Sequence, residues 1–556
     1  MDTTEFRSIV DAQTSSTYRD AGWWSDATID QVVASHADDR PTAVAYSSET
    51  GEWSWRQLQD RVTQLAHGLV AVGLRPGDRV AVWMPDCPEL HAAFLAAERA
   101  GCTIVGLGAR AGRRELVHLL ERTRASVLVT RGVAWSDDAS AVLGAVGSDV
   151  AVRHLVVDLD DEEVLRLDGE PVEAGGSQRR DQQGWDELRI GADDLYLINS
   201  TSGTTGMPKC VVHTQNRWRY FHQQATANGD LTGDDIFLAA VPAPFGFGQW
   251  TSHVTPLLLG ATTVLLERFN PDDAFASIER DGVTVLCCVS TQFLMMLASP
   301  RLTQHDLSSL RVMFTGGEAV PFVQAREFEE RTGVTILQFY GSNETGLLSG
   351  TTLSDTPEQR LRTAGRVVPE MQVRLFDGAE DVTETGRGQP ACKGPATSVG
   401  YLDDPVANDQ LFTADGWMLM GDICEIDDAG YLTVVGRTSD FIIRGGKNVS
   451  APQVEADVIT HPSIAHAAAV AMPDAVFGER VCVFVELVDG ETAPTLDDLT
   501  EHLAALGVSK ELYPERLIVL DELPRSSGAK VAKGELREVI RRQLQHESTE
   551  DYEGAR

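Results

Sequence analysis

The feature that most constrains this chain is an alternation of short apolar runs with segments of helical spacing. Leu58, Val62, Leu65, Ala66, Leu69 and Val70 recur at the interval that places them on one face of a helix. Ser54 and Gln57, just ahead of them, have the spacing of a capping box. Gly73 and Pro76-Gly77 end that helix, and Val80-Ala81-Val82-Trp83 has the unbroken apolar character of a buried strand. The pattern returns in Thr103-Ile104-Val105, a helix near Glu115 to Arg122, and Val127-Leu128-Val129. Such a chain predicts an α/β fold whose sheets are covered by helices. At 556 residues it exceeds one hydrophobic core, so at least two domains are expected.

Residues 158–194 break the rhythm. Asp158 to Glu163 and Gly175 to Arg180 are polar and aperiodic, which predicts a surface loop or insertion. Alternation resumes to residue 340. A strand-rich part follows, punctuated by Asp377-Gly378, Gly386-Arg387-Gly388 and Asp428-Ala429-Gly430. The C-terminal part reads as a small α/β unit, with strands at Ala467–Ala471 and Val481–Leu487 and a helix bearing Leu536, Val539, Ile540 and Leu544.

A net charge of −36 repels nucleic-acid backbones and anionic lipid, so neither is an expected partner. It leaves room for a locally basic phosphate site. No run approaches a membrane span, and the acidic start Met1-Asp2-Thr3-Thr4-Glu5 lacks the apolar core of an export signal. The eight cysteines are scattered without C-x-x-C spacing, which predicts reduced packing residues in a cytoplasmic protein.

Ser200-Thr201-Ser202-Gly203-Thr204-Thr205-Gly206-Met207-Pro208-Lys209 lies between the strand-like runs Leu195–Ile198 and Cys210–Val212. Its hydroxyls, glycines and lysine suit the wrapping of a polyphosphate, although a plain hairpin turn has the same composition. It is not a P-loop, whose lysine follows glycine and opens a helix. Further motifs follow in order. They are Gly316-Gly317-Glu318-Ala319, Tyr340-Gly341-Ser342-Asn343-Glu344-Thr345-Gly346, Gly416 to Asp422, Gly436-Arg437-Thr438-Ser439-Asp440, Arg444-Gly445-Gly446-Lys447-Asn448, and Leu523 to Lys530.

In this ordered set the chain resembles the adenylate-forming superfamily, which includes acyl- and aryl-CoA synthetases and aryl acid–AMP ligases. The opening Tyr18-Arg19-Asp20-Ala21-Gly22-Trp23-Trp24 is similar to dihydroxybenzoate-activating ligases. The resemblance implies a large multi-sheet α/β adenylation domain, residues 1–439, and a small mobile α/β lid, residues 440–556, hinged at Asp440. It implies ATP-dependent activation of a carboxylic acid to an acyl-adenylate with release of pyrophosphate. Transfer to CoA or to the phosphopantetheine of an acyl carrier protein would follow, and a homodimer is left open.

The resemblance also implies residue roles. Thr201, Ser202, Gly203, Thr204, Thr205, Gly206 and Lys209 would hold the β- and γ-phosphates. Gly317, Glu318 and Ala319 would line the adenine pocket, with Tyr340 stacked on the base. Asp422 and Arg437 would hold the ribose, Glu344 with Thr204 would hold Mg²⁺, and Lys530 would meet the acid and the α-phosphate. Gly445, Gly446 and Lys447 would serve the thiol channel.

Three departures qualify the match. Asn343 stands where the pattern has threonine, so its side chain is expected to bind phosphate or carboxylate oxygen as an amide. Ala529 precedes Lys530 where glycine is usual, which makes Lys533 a second candidate for the lysine's task. The acid-pocket segment, Pro242 to Trp250, lacks the histidine of many relatives. Phe245, Phe247 and Trp250, with Gly246, Gly248 and Gly341, predict an apolar, flat-walled pocket with room for an aryl or alicyclic acid. Two other readings stand beside this one: adenylation of a small acid such as nitrite for diazotisation of an aryl amine, and a non-catalytic nucleotide- or acyl-binding regulator.

Overall fold

The computed structural model describes the chain apart from residues 1–11, 133–135, 159–163, 173–181, 202–206, 318–319, 438–440, 445–446, 475–477, 507, 509, 526–530 and 555–556. Two nine-stranded sheets dominate it. The first runs in space through Arg366–Val367, Gly346–Gly350, Thr335–Ser342, Val312–Gly316, Val285–Cys287, Ile236–Ala239, Thr262–Leu265, Val44–Ser48 and Gly51–Ser54, and its centre is parallel. The second runs through Gly400–Tyr401, Cys210–His213, Leu197–Ser200, Thr103–Leu107, Arg79–Trp83, Val127–Arg131, Arg153–Asp158, Val164–Leu167 and Glu170–Pro171.

Val80, Val82 and Ile104 of the second sheet share a core with Phe237, Val285 and Phe314 of the first. Helix Pro88–Arg99 is buried at every residue, as an element between layers must be. The predicted helix spans Trp55–Ala71. Ser54 accepts from the Gln57 backbone N–H, and the Gln57 side chain accepts in return. A buried ion cluster locks the layers together. Arg99 and Arg189 both clamp Asp30, whose carboxylate is fully buried. All eight cysteines are free and buried, as expected of packing residues.

Residues 158–194 are not one long loop. Val164–Leu167 and Glu170–Pro171 form a hairpin at the edge of the second sheet, and Gln182–Asp186 is helical. Leu165 and Leu167 alternate inward onto the core, and Asp168-Gly169 takes positive φ at both positions (51° and 90°), the geometry of a tight hairpin turn.

A third sheet holds Glu380–Asp381, Gln372–Asp377, Arg387–Lys393, Asp422–Ile426 and Leu432–Arg437, with Met418–Leu419 beside Arg387–Lys393. The last sheet joins Lys447–Ser450, Phe441–Arg444, Gly478–Leu487 and Ile464–Asp474, with Arg516–Val519 alongside. It has hydrophobic clusters of its own, into which helix Lys533–Gly554 sends Leu536 and Ile540. Val539, expected on that inner face, is exposed. The architecture is thus the expected multi-sheet α/β body with a small C-terminal α/β unit. Among the described residues no helix is long and apolar enough to cross a membrane.

Candidate active site

In open parallel sheets ligands collect beyond the carboxyl ends of the strands. Here the strands Ile236–Ala239, Val312–Gly316 and Thr335–Ser342 run parallel and lead into Pro242–Trp250, Gly317 and the Asn343-Glu344 turn. Beside them the two strands that flank the Ser/Thr/Gly segment are paired. Cys210–His213 pairs antiparallel with Leu197–Ser200. The neck is closed by Thr201 N–H donating to the Lys209 carbonyl (3.0 Å) and Lys209 N–H donating to Thr201 Oγ1 (3.3 Å).

Lys209 and Glu344 are joined through a residue that the sequence reading missed. Tyr401 pairs with Val211 across the edge of the second sheet, and Lys209 Nζ lies 4.8 Å from its ring centre. The Tyr401 hydroxyl donates to Glu344 Oε1 at 2.6 Å. Burial, and then the Glu344 carboxylate, hold this phenol above its ordinary range, so it stays a donor. Ser398 N–H anchors the Glu344 carbonyl at 2.7 Å. Among the described residues no cluster of three His, Cys, Asp or Glu side chains could cage a metal. A cation here would rest on few carboxylate oxygens and on phosphate, which suits Mg²⁺.

Asn343 heads a buried polar ladder. Its Nδ2 donates to Asn199 Oδ1 (2.7 Å), and Asn199 Nδ2 donates back to Asn343 Oδ1 (3.2 Å) and to the Pro244 carbonyl (2.9 Å). Arg217, fully buried, donates to the carbonyls of Asn343 and Ala396 (both 2.8 Å) and to His213 Nδ1. That fixes the imidazole tautomer: His213 Nε2 carries the proton and donates to Asn199 Oδ1 (2.7 Å). Burial, then the charge of Arg217, hold His213 well below its usual range. Burial pulls Arg217 itself down to about 9, against the pull of Glu344, so it remains charged at neutral pH. The Asn343 amide, expected to meet phosphate or carboxylate oxygen, is oriented by Asn199 through one donated and one accepted bond. Polar residues inside buried strands, Asn199 and His213, were the available signal, with Arg217 four residues on.

Tyr340 and Asp422 also meet, the phenol donating to Asp422 Oδ2 at 2.8 Å, while Asp422 lies opposite Arg437 in the third sheet. Burial first, then Cys424 and Asp422, keep Tyr340 protonated. Gly317 is exposed at the end of its strand. The glycines of the pocket segment do not leave the room expected of them. A Cβ on Gly248 would come within 2.2 Å of the Pro242 carbonyl oxygen, and one on Gly341 within 1.7 Å of that of Gly346. Both serve close approach of the chain to itself. Phe245 packs toward Gly108, and Gly246 stands beside the Asn343 amide. Trp250 is enclosed, 1% exposed, rather than a wall of open space. Lys533 is held by Glu455 at 2.8 Å. Ser202, Gly203, Thr204, Thr205, Gly206, Glu318, Ala319, Asp440, Gly445, Gly446 and Lys530 lie outside the described residues, and Arg437 and Lys447 are placed by their strands alone.

Comparison with known proteins finds relatives along nearly the whole chain. The AMP-binding enzyme family matches residues 33–402, and the AMP-binding enzyme C-terminal domain matches residues 453–530. A medium-chain fatty-acid–CoA ligase of Escherichia coli is 29% identical over 97% of this chain and 95% of its own length. A 2-hydroxy-7-methoxy-5-methyl-1-naphthoate–CoA ligase of Streptomyces carzinostaticus is 32% identical over 94% of each. Among solved structures, ATP-bound MatB of Rhodopseudomonas palustris superposes with a TM-score of 0.80 at 27% identity, over 93% of this chain and 99% of that one.

Proposed function

The chain belongs to the AMP-binding enzymes, ATP-dependent ligases that activate acids and pass them to CoA or a carrier-protein thiol, and on that premise we propose how its own residues divide the work. The observation that carries the proposal is the Lys209–Tyr401–Glu344 chain at the neck of the Ser/Thr/Gly hairpin. It sets a cation and an oriented carboxylate beside a loop suited to phosphates. The acid's oxygen forms a bond to the α-phosphorus of ATP. The bond from that phosphorus to the bridging oxygen breaks, and its electron pair leaves with pyrophosphate. A thiolate then attacks the acyl carbon and AMP departs.

Two anions must be brought together in the first step, so the site's work is positioning and charge neutralisation. Lys209 and the hydroxyls of Thr201, Ser202, Thr204 and Thr205 take the β- and γ-phosphates in this reading. Glu344, with Thr204, would hold Mg²⁺ in this reading, which when bound would offset phosphate charge. Asp422, oriented by the Tyr340 hydroxyl, accepts from the ribose. In this reading the flat face of Tyr340 takes the base. Lys530 is the proposed partner of the acid and α-phosphate, carried on a lid of residues 440–556 that turns about Asp440 between the two steps. Its alternative, Lys533, already neutralises Glu455.

ATP–pyrophosphate exchange across a panel of acids, read with and without CoA, tests the proposal. Absence of acid-dependent exchange would sink it. Lys530→Ala should abolish exchange and keep ATP binding; if Lys533→Ala does so instead, the lysine assignment fails.

A further inference from the structure

Asn199 stands where an apolar residue would be ordinary. It lies in strand Leu197–Ser200, buried at every residue, and is itself 2% exposed. A buried amide is costly unless its hydrogen bonds are made, and Asn199 makes all of them. Its two Nδ2 hydrogens go to the Pro244 carbonyl (2.9 Å) and to Asn343 Oδ1 (3.2 Å). Its Oδ1 accepts from Asn343 Nδ2 and from His213 Nε2, both at 2.7 Å.

These bonds close a ring. Arg217 donates to His213 Nδ1 and to the Asn343 carbonyl, so the path from Arg217 through His213, Asn199 and Asn343 returns to the guanidinium. The ring has one sense. A guanidinium only donates, which makes His213 Nε2 a donor and Asn199 Oδ1 an acceptor. A turned Asn199 amide would set N–H against N–H at His213 and oxygen against oxygen at Pro244. The direction of Asn199 in turn fixes that of the Asn343 amide.

The partners of Asn199 belong to three parts of the site. Asn199 itself stands two residues before Thr201, opposite Val211, in the strand pair that carries the Ser/Thr/Gly segment. Asn343 immediately precedes Glu344. Pro244 belongs to the Pro242–Trp250 segment, and a Cβ on Gly106 of the neighbouring strand Thr103–Leu107 would lie 2.2 Å from its Cβ. Tyr401 and Ser398 hold Glu344 directly, whereas Asn199 holds the side chain one peptide bond away.

We propose that Asn199 is a positioning residue for adenylation: without touching a substrate, it ties the Asn343-Glu344 turn and the Pro242–Trp250 segment to the strand that leads into the phosphate loop. The proposal rests on the ligase reading above, and within it on Glu344 as the residue that would hold Mg²⁺. Removal of the Asn199 amide frees the Asn343 side chain to turn, and Glu344 loses part of its alignment.

The test is ATP binding by calorimetry, with and without Mg²⁺, on the full chain. Asn199→Leu is compared with Asn199→Ser, which keeps a hydroxyl for His213 and loses the bonds to Asn343 and Pro244. Each variant is confirmed folded by urea unfolding. The gain in ATP affinity on adding Mg²⁺ should fall about tenfold in both, with the Mg²⁺-free affinity within about threefold of wild type. In an Asn343→Thr background, Asn199→Leu should weaken the gain by less than about twofold more, because the link it breaks is already gone. A Mg²⁺ gain within about threefold of wild type in either folded variant overturns the proposal. So does an equal loss with and without Mg²⁺, which marks general loosening. Losses that multiply in the double variant overturn action through Asn343. ATP–pyrophosphate exchange across the acid panel separates this proposal from its premise. If Asn199→Leu lowers the Mg²⁺ gain but the wild type exchanges pyrophosphate with no acid, the ligase reading falls and the positioning of the turn stands.

Discussion

Replacing Tyr401 by phenylalanine removes one oxygen and leaves everything else about the residue in place. Its backbone is pinned by Asn408, which accepts from Tyr401 N–H at 2.8 Å and donates to its carbonyl at 2.9 Å, so the ring should not move. Lys209 keeps its aromatic face. What is lost is the 2.6 Å bond to Glu344 Oε1. A neutral donor on a carboxylate contributes about 1.5–3 kcal/mol, and removing such an orienting partner from a metal-binding carboxylate weakens the metal about 10-fold or more. The measurement is the dependence of pyrophosphate exchange on free Mg²⁺. Tyr401→Phe should raise the Mg²⁺ concentration for half-maximal rate by about tenfold, with the rate at saturating Mg²⁺ within about threefold of wild type. An unchanged or lower Mg²⁺ requirement would refute the placing of Glu344 at the cation. Tyr401→Leu, which also removes the ring from beneath Lys209, should in addition raise KM for ATP.

Other consequences are open to measurement. Arg217→Met strands the carbonyls of Asn343 and Ala396 in the interior, so denaturant unfolding should show a loss of about 3 kcal/mol; a loss under about 1 would mean that the ladder is dispensable. Asp30→Ala leaves Arg99 and Arg189 buried without their carboxylate and should cost about 3–5 kcal/mol in the same experiment, whereas Ser54→Ala should cost only about 1 kcal/mol. Stability should fall on acidification. Both His213 and His253, the latter between His91 and Tyr196 (3.1 and 3.0 Å), are held well below 6.5 chiefly by burial, so their contribution is complete above 6.5 and is lost as pH falls from there toward their folded values. Glu98, raised by burial and by Asp30, works in the opposite sense, gaining stability as pH falls toward its ordinary value. Between pH 7 and 5.5 the two histidines lose about 1.3 kcal/mol each, His222, held near 4 chiefly by burial, loses about as much, and Glu98 returns part of it, for a net loss of about 2 kcal/mol by urea titration; a gain would show that the histidines are charged in the native state.

What could be read from the chain without coordinates has a plain physical origin. The alternation of buried strand and amphipathic helix is a local property, so the α/β class and elements such as Trp55–Ala71 follow from spacing and caps. The ordered motifs are local too, because a phosphate loop needs its glycines and hydroxyls contiguous. They indicated the hairpin, Glu344, Asp422 and Tyr340. The hairpin at Asp168-Gly169 was equally local, but the polar runs around it hid its signal.

Contacts between segments far apart in sequence were decided only by the tertiary structure. Tyr401 reaches Glu344 because a two-residue strand adds to the sheet edge, and nothing around Gly400-Tyr401 announces it. Asn343 is oriented by Asn199, distant in the chain but adjacent in the fold. The glycines and rings of Pro242–Trp250 suggested an open, flat pocket, because sequence supplies residue types and not the gaps between them. In the fold Trp250 is instead enclosed by rings from helix Gln215–Gly229 and from two strands. Sequence by itself determined that this chain is built to adenylate an acid. How large that acid can be is a matter of packing, which exists only once the sheets are folded together.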